Sequence, residues 1–179
     1  GRDEETIQLV QKTVEYCIEK DKATVVDADG LFALAEDAEL CRQLSTNFLL
    51  TPHHGEFIRL AQISKEKIQT QPWQCLEDYL KNKKFAINLK GSPSMVGTSS
   101  GKIYINPTGN SALAKGGSGD VLAGIIGGLM ARGLDIVQAA KTGNYIHGEA
   151  ADILLSSQAT VSILPSDLVE ILPELFDQD

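Results

Sequence analysis

Asp120 follows Gly116, Gly117, Ser118 and Gly119 and precedes an apolar run from Val121 to Met130. Glycines take backbone angles closed to other residues, so consecutive N–H groups here can converge on one point ahead of the helix that the apolar run predicts, near Asp120. The positive end of such a helix favours an anion, phosphate above all, and a carboxylate beside a bound phosphate can act on a hydroxyl. The same residues support a plainer reading, in which Ser118 or Asp120 caps a buried helix.

Three other turns hold residues suited to chemistry. Asp27 and Asp29 end the short β-branched run Ala23 to Val26, at a strand's carboxyl end where open α/β sheets gather ligands; turn-forming Asp explains the pair equally well. His53 and His54 follow Thr51 and Pro52, where Thr51 can cap a helix and Pro52 can open it. One histidine is then free to face a ligand, while His54 alone reads as a solvated loop residue. Lys90 and Gly91 close a run from Phe85 to Leu89, pairing an ammonium with a flexible backbone, although the pattern is not a Walker sequence.

Alternating strands and helices must position these turns. Asp3 to Lys20 reads as an amphipathic helix with Ile7, Val10, Val14, Cys17 and Ile18 on one stripe. Strands are expected over 23–26, 47–50 and 85–89, helices over 57–61 and near 76–80, and a hairpin across Gly97 to Gly101. Val121 to Met130 is apolar almost all round, which predicts a helix buried on every side. Asp135 to Leu155 predicts a second long helix, whose Ala139, Ala140, Gly143, Gly148, Ala150 and Ala151 permit close approach of a neighbour and whose His147 is structural. Pro165 and Ser166 open a last helix.

The 179 residues are 42% hydrophobic and 22% charged, the composition of one globular domain, with no apolar run long enough to span a membrane. A net charge of −8, with no cluster of Lys or Arg, argues against nucleic acid as a partner. Cys17, Cys41 and Cys75 are odd in number and set among apolar residues, which fits reduced thiols and a cytoplasmic compartment.

Four turns agree in order: Val-Val-Asp-Ala-Asp-Gly-Leu at 25–31, Leu-Thr-Pro-His-His-Gly-Glu at 50–56, Leu-Lys-Gly at 89–91 and Gly-Gly-Ser-Gly-Asp-Val-Leu-Ala-Gly at 116–124. Together they resemble the NAD(P)H-hydrate dehydratase family, and the likeness runs from the first residue nearly to the last. It implies an α/β, three-layer αβα ribokinase-like fold. Gly1-Arg2 matches the end of the family's Gly-Leu-Gly-Arg turn, so the resemblance further implies that the N-terminal part of the sheet is absent and that the chain is the C-terminal part of a longer polypeptide.

The activity so implied is dehydration of hydrated NADH or NADPH, coupled to cleavage of ADP or ATP with magnesium. Residue by residue, Lys90, Gly91, Ser92, Pro93, Ser94 and Gly119 match the adenine-nucleotide positions. Asp120, His53 and Gly1 match positions that touch the hydrated dinucleotide, with Asp120 as the base. His54 stands where many members have proline and is left out of the site. The resemblance assigns no metal ligand, and it implies a homo-oligomer. Two alternatives stand beside it: a ribokinase-like kinase for a small alcohol or vitamin precursor, since the Gly-x-Gly-Asp joint serves such enzymes, and an inactive nucleotide-binding fragment, to which the start at Gly1 points.

Overall fold

The computed structural model describes residues 2–176, which fall into two compact units meeting at Tyr104 and Ile105. The first unit is α/β. Its sheet has the order β1 (Thr24–Val26), β2 (Phe48–Leu50), β3 (Ala86–Leu89), β4 (Met95–Gly97), β5 (Ile103–Ile105). β1, β2 and β3 run parallel, with Val25 opposite Leu49 and Leu50 opposite Ile87. β3 and β4 are antiparallel, and the turn after β4 is closed by Thr98 N–H on Lys102 O at 3.0 Å, as the hairpin pattern predicts.

Among the described residues, six helices belong to this unit: α1 (Glu4–Glu19), α2 (Asp29–Ala35), α3 (Ala38–Gln43), α4 (His54–Ala61), α5 (Lys65–Thr70) and α6 (Pro72–Leu80). α1 is capped by Asp3, whose carboxylate accepts Thr6 N–H at 2.9 Å, and it packs Val10, Val14, Cys17 and Ile18 onto the core. β2 and β3 are buried along their whole length, as central parallel strands of continuous apolar sequence should be. Phe48, Phe57 and Phe85 are fully buried, each side chain contributing roughly 2 kcal/mol by leaving water. α3 and α5 are not legible in the sequence. Each has six residues, too few for an apolar period, and each is started by a side-chain cap, Asp37 on Leu40 N–H and Ser64 on Lys67 N–H.

The second unit contains α7 (Ser118–Ala131), α8 (Ile136–Leu155) and α9 (Pro165–Phe176). The small residues of α8 do what their size predicts. A Cβ on Gly143 would stand 2.5 Å from Ile126 Cγ1 of α7, so the two helices touch where only glycine fits. The expectation that α7 is buried on every side needs correcting. Leu122, Ile125, Ile126 and Leu129 are buried, but Gly124 and Gly128 are exposed, and a Cβ on either would meet nothing within 4 Å. Glycine lends an apolar run its greasy average without supplying a side chain to bury.

This contrast gives a paired prediction. Gly143→Ala should cost about 1–3 kcal/mol by overpacking, whereas Gly124→Ala should stabilise by about 1 kcal/mol through helix propensity. Urea midpoints of the two variants check both signs.

Candidate active site

The parallel register brings three turns of the first unit to one sheet edge. Thr51 N–H bonds Val26 O at 3.0 Å and Lys90 N–H bonds Pro52 O at 2.8 Å, so the residues just after β1, β2 and β3 lie side by side. Lys90 Nζ donates to Asp27 Oδ1 at 2.7 Å and stands 3.9 Å from Glu56 Oε2. All three side chains are mostly shielded from solvent. Asp29 instead receives Arg2 Nε at 3.2 Å, which separates the roles of the two acids after β1.

Thr51 does not cap α4, and Pro52 does not open it. Thr51 is buried with its hydroxyl on Val26 O, and the cap is His53. Its Nδ1 accepts Gly55 N–H at 2.9 Å and Glu56 N–H at 3.3 Å, while Glu56 Oε2 accepts His53 N–H at 2.8 Å. An accepting Nδ1 leaves the ring proton on Nε2, which lies 3.4 Å from Glu56 Oε1. His53 thus joins a reciprocal capping box to the charged cluster.

His54 is the first residue of α4. A Cβ on Gly91 would come within 2.9 Å of its Nε2, so its ring lies over the turn after β3. Burial first, and then the neighbouring His53, push the His54 pKa below the ordinary histidine value. Residues 90–94 fold back on themselves, with a cis Ser92-Pro93 peptide and Ser94 Oγ donating to Gly91 O at 3.2 Å.

In the second unit, Gly117 is the N-cap of α7, in a left-handed conformation with φ 92°, and no side chain caps the helix. The capping role open to Ser118 or Asp120 is therefore not taken by either. Ser118 Oγ lies 3.2 Å from His147 Nε2, and both residues are buried, which ties the first turn of α7 to α8. Ser118 N–H is spent on Lys115 O, but the N–H groups of Gly119 and Asp120 find no acceptor among the described residues. Asp120 is exposed at the third position of the helix, its carboxylate in the favourable first turn.

The loop before α7 is held to α8 within the same unit. Asp152 accepts Gly109 N–H and Asn110 Nδ2, each at 2.8 Å, and Thr108 Oγ1 donates to Tyr145 O at 3.0 Å. Lys115 Nζ donates to the carbonyls of Val161 and Ile163.

This sequence matches the family model described as NAD(P)H-hydrate dehydratase over residues 1–174. The chain belongs to the NAD(P)H-hydrate dehydratase family. It is 37% identical over 173 residues to the bifunctional NAD(P)H-hydrate repair enzyme of Moorella thermoacetica, a match covering 97% of this chain and 32% of that protein. The chain therefore spans about a third of the length of that relative.

The structure superposes on an ADP/ATP-dependent NAD(P)H-hydrate dehydratase from Bacillus subtilis, co-crystallized with ATP/Mg2+, with a TM-score of 0.74 and 28% identity, over 86% of this chain and 54% of that one. A ribokinase-like superfamily protein from Enterococcus faecalis, 22% identical over 94% of this chain and 58% of its own, gives a TM-score of 0.78 and shares the fold. The expected α/β ribokinase-like class is thus observed.

Of the family positions expected in the site, His53 and the 90–94 turn adjoin at one sheet edge of the first unit, joined by a parallel bridge between His53 and Lys90. Gly119 and Asp120 share the first turn of α7 in the second unit, and Gly1 lies outside the described residues. The sequence reading missed Glu56, although His53-x-x-Glu56 has the spacing of a capping box. It also missed Ala28, whose backbone sits at φ 48°, ψ −121°, a region that costs a residue with a side chain about 1–3 kcal/mol. Ala28→Gly should accordingly raise stability by about 1 kcal/mol after allowing for the looser unfolded chain, read as a higher denaturation midpoint; a lower midpoint would show that Ala28 is held there without strain.

Proposed function

We propose that this chain restores NADH and NADPH from their hydrates by a dehydration coupled to cleavage of ADP or ATP. The observation that supports this most is the first turn of α7, where two unspent N–H groups, of Gly119 and Asp120, accompany an exposed carboxylate on the same turn. The family match and the names of its relatives point the same way.

Asp120 takes the proton of the ring hydroxyl as that oxygen attacks the terminal phosphoryl group. AMP leaves from ADP, or ADP from ATP. The N–H groups of Gly119 and Asp120 hold the charge on the transferring phosphoryl, an oxyanion role that fixed backbone donors fill without reorganising. The ring nitrogen lone pair then expels phosphate, and loss of a proton from the adjacent ring carbon restores the double bond. After activation the protein supplies chiefly positioning.

In this reading Lys90, Gly91, Ser92, Pro93 and Ser94 of the first unit serve the adenine nucleotide, a role given separately to Gly119 of the second, and the hydrated dinucleotide is given to His53 in the first unit and to Asp120 in the second. Asp27 and Glu56 converge on one cation, Lys90 Nζ, and are an oxygen pair of the kind that holds magnesium alongside phosphates and water. Magnesium bound there would supply charge neutralisation of the nucleotide's phosphates. Cys17, Cys41 and Cys75 are free thiols, which fits a reducing cytosol.

Asp120→Asn should keep adenine-nucleotide affinity and lose turnover by about a hundredfold or more, the usual size of a general-base contribution. Phosphate release from ADP or ATP in the presence of hydrated NADH checks it. Full activity in that variant would remove Asp120 from the mechanism.

A further inference from the structure

A cavity of about 150 Å³ opens in the first unit, and its lining includes Arg2, Ala28, Phe32, His53, Glu56 and Arg59. Two guanidinium groups share one ring there: Arg59 Cζ stands 4.7 Å from the Phe32 centroid and Arg2 Cζ 4.8 Å from it. The ring's negative face offsets some of the repulsion between two cations so placed.

The two arginines differ in their partners. Arg2 is paired with Asp29 at 3.2 Å. Arg59 has no carboxylate partner among the described residues, because Glu56, one turn before it on α4, is committed to His53 N–H and lies 3.9 Å from Lys90 Nζ. What sets Arg59 apart is its place in the cavity wall, beside Phe32 and sharing that ring with Arg2. Its planar fork of donors suits a phosphate, which it can bind through two parallel hydrogen bonds. The strained backbone of Ala28 lies in the same wall, as does His53.

We propose that this cavity binds a phosphate group of the dinucleotide substrate, with Arg59 as its principal contact and Arg2 adding charge. The proposal rests on the dehydratase reading and deepens it, because it names what holds the far, unreactive part of the hydrated NADH or NADPH. None of residues 90–94, the turn given to the adenine nucleotide, lines the cavity. A merely structural Arg59, lying over Phe32 to cover its ring, would leave substrate affinity alone.

The test uses Arg59→Gln and Arg59→Lys in the full chain, with two readouts. Steady-state kinetics with hydrated NADH and hydrated NADPH should show KM for the dinucleotide rising about tenfold in Arg59→Gln, the worth of one charge-assisted contact. The rise should exceed any fall in kcat, KM for ADP or ATP should stay put, and Arg59→Lys should restore part of the affinity. A rise for both hydrates assigns the pyrophosphate, and a rise for hydrated NADPH alone assigns the 2′-phosphate; either supports the proposal.

Equilibrium binding of unhydrated NADPH to wild type and Arg59→Gln is the second readout, independent of turnover. If the wild type fails to repair the hydrate yet binds NADPH about tenfold more tightly than the variant, the dehydratase reading falls and the phosphate cavity stands. An unchanged dinucleotide affinity, a rise confined to ADP or ATP, or a wild type that binds no NADPH overturns the proposal.

Discussion

The close approach of α7 to α8 is the constraint on which the proposed chemistry depends. Gly143 admits Ile126 against the α8 backbone, and Gly148 admits the backbone of Thr108. The same helix supplies Asp152 to two donors of the preceding loop and His147 to Ser118. A first turn held in this way keeps the N–H groups of Gly119 and Asp120 fixed before any phosphate arrives. Preorganised donors of this kind stabilise developing charge without first having to be oriented. The absence of a side-chain cap fits this use, since a capping oxygen would occupy the donors that a phosphoryl group needs.

The first unit holds several charges together at one sheet edge. Lys90 is compensated by Asp27 and Glu56, and Glu56 is in turn fixed by the capping box with His53. Each partner restrains the next, so the edge is ordered without a ligand.

Much of this was legible in the sequence because the signals were local or periodic. The strand ahead of Asp27, the run into Lys90 and the small-residue face of α8 all lie where their patterns place them. Features set by tertiary contact were not legible. The partner of Lys90 is 63 residues away, and nothing near Lys90 in sequence announces it. No local pattern marks Arg59, whose neighbour Phe32 is 27 residues away in sequence. His53 is outside the usual set of capping residues, so Thr51 and Pro52 took the roles it fills. Glycine misled in the other direction, since its place in an apolar run made α7 look more deeply buried than it is.

In the proposed function a phosphoryl transfer serves to remove water from a damaged cofactor. Dihydronicotinamide absorbance and phosphate are followed together on adding the protein to hydrated NADH with ADP or ATP and magnesium. Absorbance should return in step with phosphate, one for one, and only when the nucleotide is present. Phosphate released with no return of absorbance, or a stable phosphorylated alcohol in place of free phosphate, would contradict it.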